Sequence, residues 1–213
     1  MKKPLLLVFL VLVCVSCAND DNTIPEPEEN FFALTVGNTW VYEHYRRENI
    51  MSEVFNDTGV IDSVKIVNTE SINGNTFFKF RVRTSGNETN AALCATNGER
   101  FFYFRDSLGY LITDEGKVEF SRYDNQEFLL TADNFFELYT ARGEGNEMIS
   151  TAAGTFDCEW MKLYAKEVPT LALFPGLDKH YYAPGIGKVF NTCSFATEDI
   201  HRMERRLVSY NVQ

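Results

Sequence analysis

Hydrophobic and polar residues alternate along most of this chain, with a period of two, not 3.6. In NTWVYEHYRR (38–47), Trp40, Tyr42 and His44 share one face. Residues 59–70 are rich in β-branched side chains, and Asn73-Gly74 follows as a hairpin turn signal. In FFKFRVR (77–83), Phe78, Phe80 and Val82 fall on one face; Phe77, Lys79, Arg81 and Arg83 fall on the other. This pattern predicts a sheet with one buried and one largely solvated face. Further strands are predicted over 99–106, over 110–120 with a turn at Asp114-Glu115-Gly116, and over 146–152, 155–167, 180–195 and 201–212. Pro184-Gly185 predicts a bulge or sharp bend inside 180–195. The segment TADNFFELYTA (131–141) breaks the pattern: it predicts a short helix capped by Thr131 or Asp133. Long strands with tight turns predict a mainly β domain, built as a single antiparallel curled sheet (half-barrel or barrel) with at most one or two short helices. A β-sandwich is the alternative.

The N-terminus follows another pattern. Lys2 and Lys3 precede PLLLVFLVLVCVS (4–16), an apolar run of 13 residues. A bilayer-spanning helix needs about 20, so the run fits the core of a secretory signal. The stretch CVSC (14–17) resembles a bacterial lipobox, although Cys14 stands where an aliphatic residue is usual. That resemblance implies cleavage before Cys17 and acylation of Cys17, palmitate being a typical chain. Ala18–Asn30 (ANDDNTIPEPEEN) carries five acids, no base and two prolines. Such a segment buries too little apolar surface to order itself and reads as an extended tether. Its acidic start resembles the surface-export signal of lipoproteins from Bacteroidetes-type bacteria. The expected organisation is a signal peptide over 1–16, a lipidated cysteine and acidic linker over 17–30, and one β-rich domain over 31–213.

Charge narrows the partners. The net charge is −10, and without the signal and linker residues 31–213 retain 25 acids against 18 bases. That balance disfavours nucleic acid, whose backbone selects clustered Lys and Arg. The membrane is expected to be reached through the lipid. Eighteen Phe and ten Tyr supply ample core.

Candidate chemistry is sparse. His44, His180 and His201 have no metal-motif spacing, and Cys94, Cys158 and Cys193 form no CxxC, so no metal or cofactor is expected. No G-x-S-x-G elbow occurs. Asp157 and Glu159 lie on one face of a predicted strand, at a spacing that would suit a glycosidase pair; alternate charges on an outer face explain them more simply. Cys158 and Cys193 start and end two successive predicted strands, which places them at one end of the domain as a candidate disulfide. Cys94 has no evident partner.

Four stretches, FFALTVGNTWVYEH (31–44), STAAGTFDCEWMKLY (150–164), YYAPGIGKVFN (181–191) and ERRLVSYNV (204–212), together resemble a group of bacterial envelope lipoproteins. Lys188 replaces the aliphatic residue usual after Gly187. The resemblance implies a curled β cradle like that of LolA-type lipoprotein carriers, anchored in the bacterial outer membrane and either periplasmic or surface-exposed. The expected function is non-enzymatic binding or carriage of an apolar or carbohydrate ligand, with Trp40, Tyr42, Phe78 and Phe80 as candidate cradle aromatics. Alternatives are an interaction lipoprotein with a filled core and, more remotely, a hydrolase using Asp157 and Glu159.

Overall fold

A computed structural model describes residues 30–123 and 125–213. They form thirteen strands and, among the described residues, no helix. In chain order these are β1 (Thr39–Arg47), β2 (Phe55–Ile72), β3 (Asn75–Ser85), β4 (Gly98–Ser107), β5 (Tyr110–Thr113) and β6 (Val118–Ser121), then β7 (Phe128–Ala132), β8 (Phe136–Arg142), β9 (Glu147–Thr151), β10 (Gly154–Glu167), β11 (Leu173–Ala183), β12 (Gly187–Cys193) and β13 (Met203–Asn211). Every pairing is antiparallel. The sheet order is β6-β5-β4-β3-β2-β1-β13-β12-β11-β10-β8-β7, with β9 paired to β10. The first and last strands therefore meet at the centre of the sheet, where β1 pairs with β13. The outermost strands β6 and β7 are consecutive in sequence. The sheet curls until β6 lies against β8 and β7, so the barrel is nearly closed.

Local sequence explains the turns. Asn73 and Gly74 both have positive φ (49° and 79°), the geometry of a two-residue hairpin that matches strand twist. Gly37, Gly154, Gly185 and Gly187 of the four family-like stretches all adopt positive φ, a region costly for residues with a Cβ.

Three expectations need correction. Residues 131–141 are not helical: they end β7, turn, and form most of β8. Asp133 does not cap a helix; its Oδ1 accepts the backbone N–H groups of Phe135 and Phe136 and turns the chain into a hairpin. Residues 180–195 are not one bent strand. The chain reverses at Pro184-Gly185, so β12 runs antiparallel to β11 and parallel to β10. Phe77, placed by alternation on the solvated face, is 4% exposed, with the Arg105 guanidinium 5.6 Å from its ring.

The reversal at Pro184-Gly185 decides the thiols. Cys193 is carried back to the level of Asp178, which pairs with Leu163. That is five residues along β10 from Cys158, roughly 16 Å at a strand's rise. Cys94, Cys158 and Cys193 are all free. The candidate Cys158–Cys193 bridge is therefore not formed.

Buried apolar side chains fall into two packed groups. One centres on Trp40, Tyr42, Ile66, Trp160, Tyr181 and Leu207. The other gathers around the first described residues: Phe31, Phe32, Leu111, Phe120, Met161 and Tyr182. Phe31 and Phe32 meet edge to face at 4.9 Å, and Phe120 lies 4.5 Å from Tyr182. The backbone N–H of Gly185 donates to the Phe31 carbonyl, tying this group to the β11–β12 turn.

Candidate ligand cavity

Curling leaves the inner face of the sheet incompletely filled. A cavity of about 750 Å³ lies against β1–β6, within the size range of small-molecule sites. Its opening follows from strand length. β5 and β6 are four residues each; β5 pairs only with Phe104–Ser107 of β4, and β6 pairs with β5. They leave the Gly98–Tyr103 edge of β4 uncovered. The mouth there is rimmed by Asp114, Glu115 and Lys117 of the β5–β6 turn, with Phe101 and Phe102 half exposed beside it.

The walls are aromatic. Trp40 stacks on Phe80 (6.0 Å), Phe80 meets Phe104 edge to face (5.2 Å), and Phe102 stacks on Phe104 (6.4 Å). Trp40 Nε1 donates to the Ile186 carbonyl at 2.7 Å, and the Tyr42 hydroxyl donates to the Lys188 carbonyl at 2.7 Å. Both rings are thus held by backbone 146 residues away. Of the four predicted cradle aromatics, Trp40, Tyr42 and Phe80 line the cavity. Phe78 does not: it lies past the β2 bulge between Ile66 and Asn68, toward the hairpin tip, and packs on the neighbouring core.

The floor is charged, which the alternation reading missed. Asp62, 5% exposed, accepts from His44 Nε2 (3.0 Å), Arg205 Nε (2.8 Å) and the Thr84 hydroxyl (2.5 Å). The Arg205 guanidinium also lies 3.7 Å from the centre of the Tyr42 ring. Burial pushes the Asp62 carboxyl up, but the His44 hydrogen bond, the Arg205 charge and the Thr84 hydroxyl outweigh it and hold it well below the usual carboxylate range. A second cluster joins Glu119 to Lys188 Nζ at 2.8 Å, with His180 Nδ1 at 3.8 Å and the Tyr182 hydroxyl at 3.5 Å. Burial again raises this carboxyl, and the Lys188 charge and His180 overcome it. Burial and Lys188 together push His180 down. Lys188, the departure from the family-like pattern, is therefore the cation that neutralises Glu119. One signal was available in the sequence. His44, Asp62, Thr84 and Arg205 each fall at the inward phase of their strand, beside Tyr42, Val64, Val82 and Leu207.

Cys94 Sγ lies 3.7 Å from His44 Nδ1, so thiol, imidazole and Asp62 carboxylate stand in series. Burial and the nearby Asp62 charge raise the Cys94 thiol, which favours its protonated form. Cys158 is pushed up to about 12 and Cys193 to about 11, mainly by burial. Asp157 and Glu159 do not form a facing pair. Asp157 is exposed on the part of β10 that pairs with β9. Glu159 is buried and holds Arg122 (3.0 Å) and Arg142 (2.9 Å) across the seam between β6, β8 and β10. Among the described residues no group of three His, Cys, Asp or Glu side chains could hold a metal ion, and no helix is long and apolar enough to cross a membrane. Cys17 lies outside the described residues.

No protein-family profile matches the chain, and no curated protein matches it in sequence. Two solved structures resemble it in shape. One is a protein from Bacteroides fragilis with a YmcC-like fold, described as exported: 13% identity, TM-score 0.53, covering 85% of this chain and 98% of that one. The other is a Parabacteroides distasonis protein described as a lipoprotein, at 15% identity and TM-score 0.45 over the same shares. The first likeness shows the fold: this chain has the curled antiparallel architecture of the YmcC-like protein.

Proposed function

We propose that the protein is a lipid-anchored component of a bacterial envelope that binds an apolar or amphipathic ligand inside its curled sheet, without catalysing a reaction on it. The open, aromatic-walled cavity of about 750 Å³ carries this reading. The lipobox-like CVSC sequence supports the anchor. The exported character ascribed to the structural neighbour agrees with an envelope location. A purely structural role with a filled interior is less consistent with such a cavity.

The cavity is tested with N-phenyl-1-naphthylamine, an uncharged fluorescent probe. Saturable binding is expected in the full chain. Val82→Trp, which projects an indole into the cavity, should weaken binding by about tenfold or more. Absence of saturable binding to the wild-type chain would remove the proposal. The anchor is tested separately by labelling cells with a radioactive fatty acid. Label should enter the wild-type protein and be lost from Cys17→Ser; equal labelling would refute lipidation there.

A further inference from the structure

We infer that the cavity selects an anionic amphiphile, whose carboxylate or phosphate head docks on Arg100 while its apolar body lies along Phe80, Phe102 and Phe104. This rests on the binding role proposed above and names the ligand class for the same site. Arg100 pairs across the sheet with Val82, so both side chains point into the cavity. One arm of its guanidinium is fixed: Nη2 donates to the Thr84 hydroxyl oxygen at 2.9 Å, and that hydroxyl in turn donates to Asp62. Its Nε is buried and meets no acceptor among the described residues.

Charge pairing singles out the same side chain. Asp62 is paired with Arg205 at 2.8 Å, and Glu119 with Lys188 at 2.8 Å. Arg100 forms no carboxylate pair within 4.0 Å among the described residues, and Thr84 stands between it and Asp62. At the rim, Lys117 is matched by Glu115 at 2.6 Å, and Asp114 lies beside them. The inner wall therefore holds a guanidinium that Thr84 orients and no carboxylate neutralises. A buried N–H without an acceptor is costly, and a guanidinium presents a planar fork of donors suited to a two-oxygen anion. Phe80, Val82, Phe102 and Phe104 form an apolar strip beside it, while the floor's carboxylates are already paired with Arg205 and Lys188. A neutral sugar would need several polar partners there, whereas an acyl or aryl tail needs none.

The experiment uses the full chain expressed with Cys17→Ser, so that no attached lipid competes. The probes are cis-parinaric acid, a fluorescent long-chain carboxylate, and its methyl ester. The acid should bind about tenfold or more tightly than the ester, the scale of one charge-assisted hydrogen-bonded contact. Arg100→Met keeps the length and the apolar stem; it should abolish that preference, weakening the acid while leaving the ester unchanged. Arg100→Lys should restore part of the preference, which guards against a trivial folding defect. Dodecyl phosphate as competitor distinguishes the headgroups: displacement stronger than by laurate assigns the head as phosphate, the reverse as carboxylate. Equal binding of acid and ester, unaltered by Arg100→Met, would overturn the Arg100 inference and leave the binding role standing. Binding of neither probe would overturn both.

Discussion

Replacing Asp62 by alanine is expected to lower the free energy of unfolding by about 3–5 kcal/mol, because it strands the Arg205 guanidinium in the interior. Three groups converge on this carboxylate, from β1, β3 and β13, and it is nearly sealed from solvent. Asp62→Asn keeps the shape and one acceptor but not the charge, so it should fall between wild type and alanine. The midpoint of urea unfolding reads both. The folded-state pKa values of Asp62 and Glu119 lie below their ordinary values. Their contribution to stability is therefore complete above the unfolded pKa values of about 4 and is lost as pH falls toward the folded ones. The wild-type urea midpoint should drop from pH 5 to pH 2, and drop less in Asp62→Asn. An Asp62→Ala protein as stable as wild type would show that the cluster contributes no net stability.

The second large effect is expected at the barrel seam. No strand ladder joins β6 to β8. Instead Glu159 holds Arg122 and Arg142, and Arg142 also donates to the Arg122 carbonyl. Arg122 further covers the Phe31 ring at 4.0 Å. Glu159→Leu leaves two guanidiniums facing each other without a counter-charge, at a cost of about 3 kcal/mol or more. The loss should be local. Amide exchange over 110–121 should quicken by about tenfold or more, while β1–β3 keep their protection until global unfolding. Glu159→Gln, which retains an acceptor, should lie between. Unchanged exchange over 110–121 in Glu159→Leu would mean that packing alone holds the seam.

Where one face of a strand is buried and the other wet, the alternation gave the architecture directly. Asn73-Gly74 marked its hairpin, and Trp40, Tyr42 and Phe80 were correctly set facing inward. The errors occur where that contrast fails. In 131–141 the apolar residues Phe135, Phe136, Leu138 and Tyr139 stand at helix-like spacing. Phe135 is 77% exposed, so this spacing records no buried face. Around Pro184-Gly185 both flanks are apolar and aromatic, and continuity of composition hid a complete reversal of direction. The charged floor was hardest to see. His44, Asp62 and Arg205 are brought together only by the pairing of β1 with β2 and β13, and Asp62 and Arg205 stand 143 residues apart. An acid in the inward phase of a strand signals a buried partner, but not which residue it is.

The meeting of the first and last strands at the centre of the sheet sets an order of events during synthesis. Strands β2 to β6 can each pair with the strand made just before, so that arm can zip up by short loop closures. β1 cannot complete itself this way: one edge takes β2, and the other waits for Met203–Asn211, the last of the thirteen strands to be made. Closing that long loop has the largest entropic cost of any pairing in the sheet. Until it closes, Asp62 lacks Arg205 and Tyr42 lacks the guanidinium over its ring. The nascent chain therefore carries an open strand edge beside an uncompensated carboxylate. A chain that stops short of β13 keeps both, and these are features through which chaperones and proteases can recognise an unfinished protein.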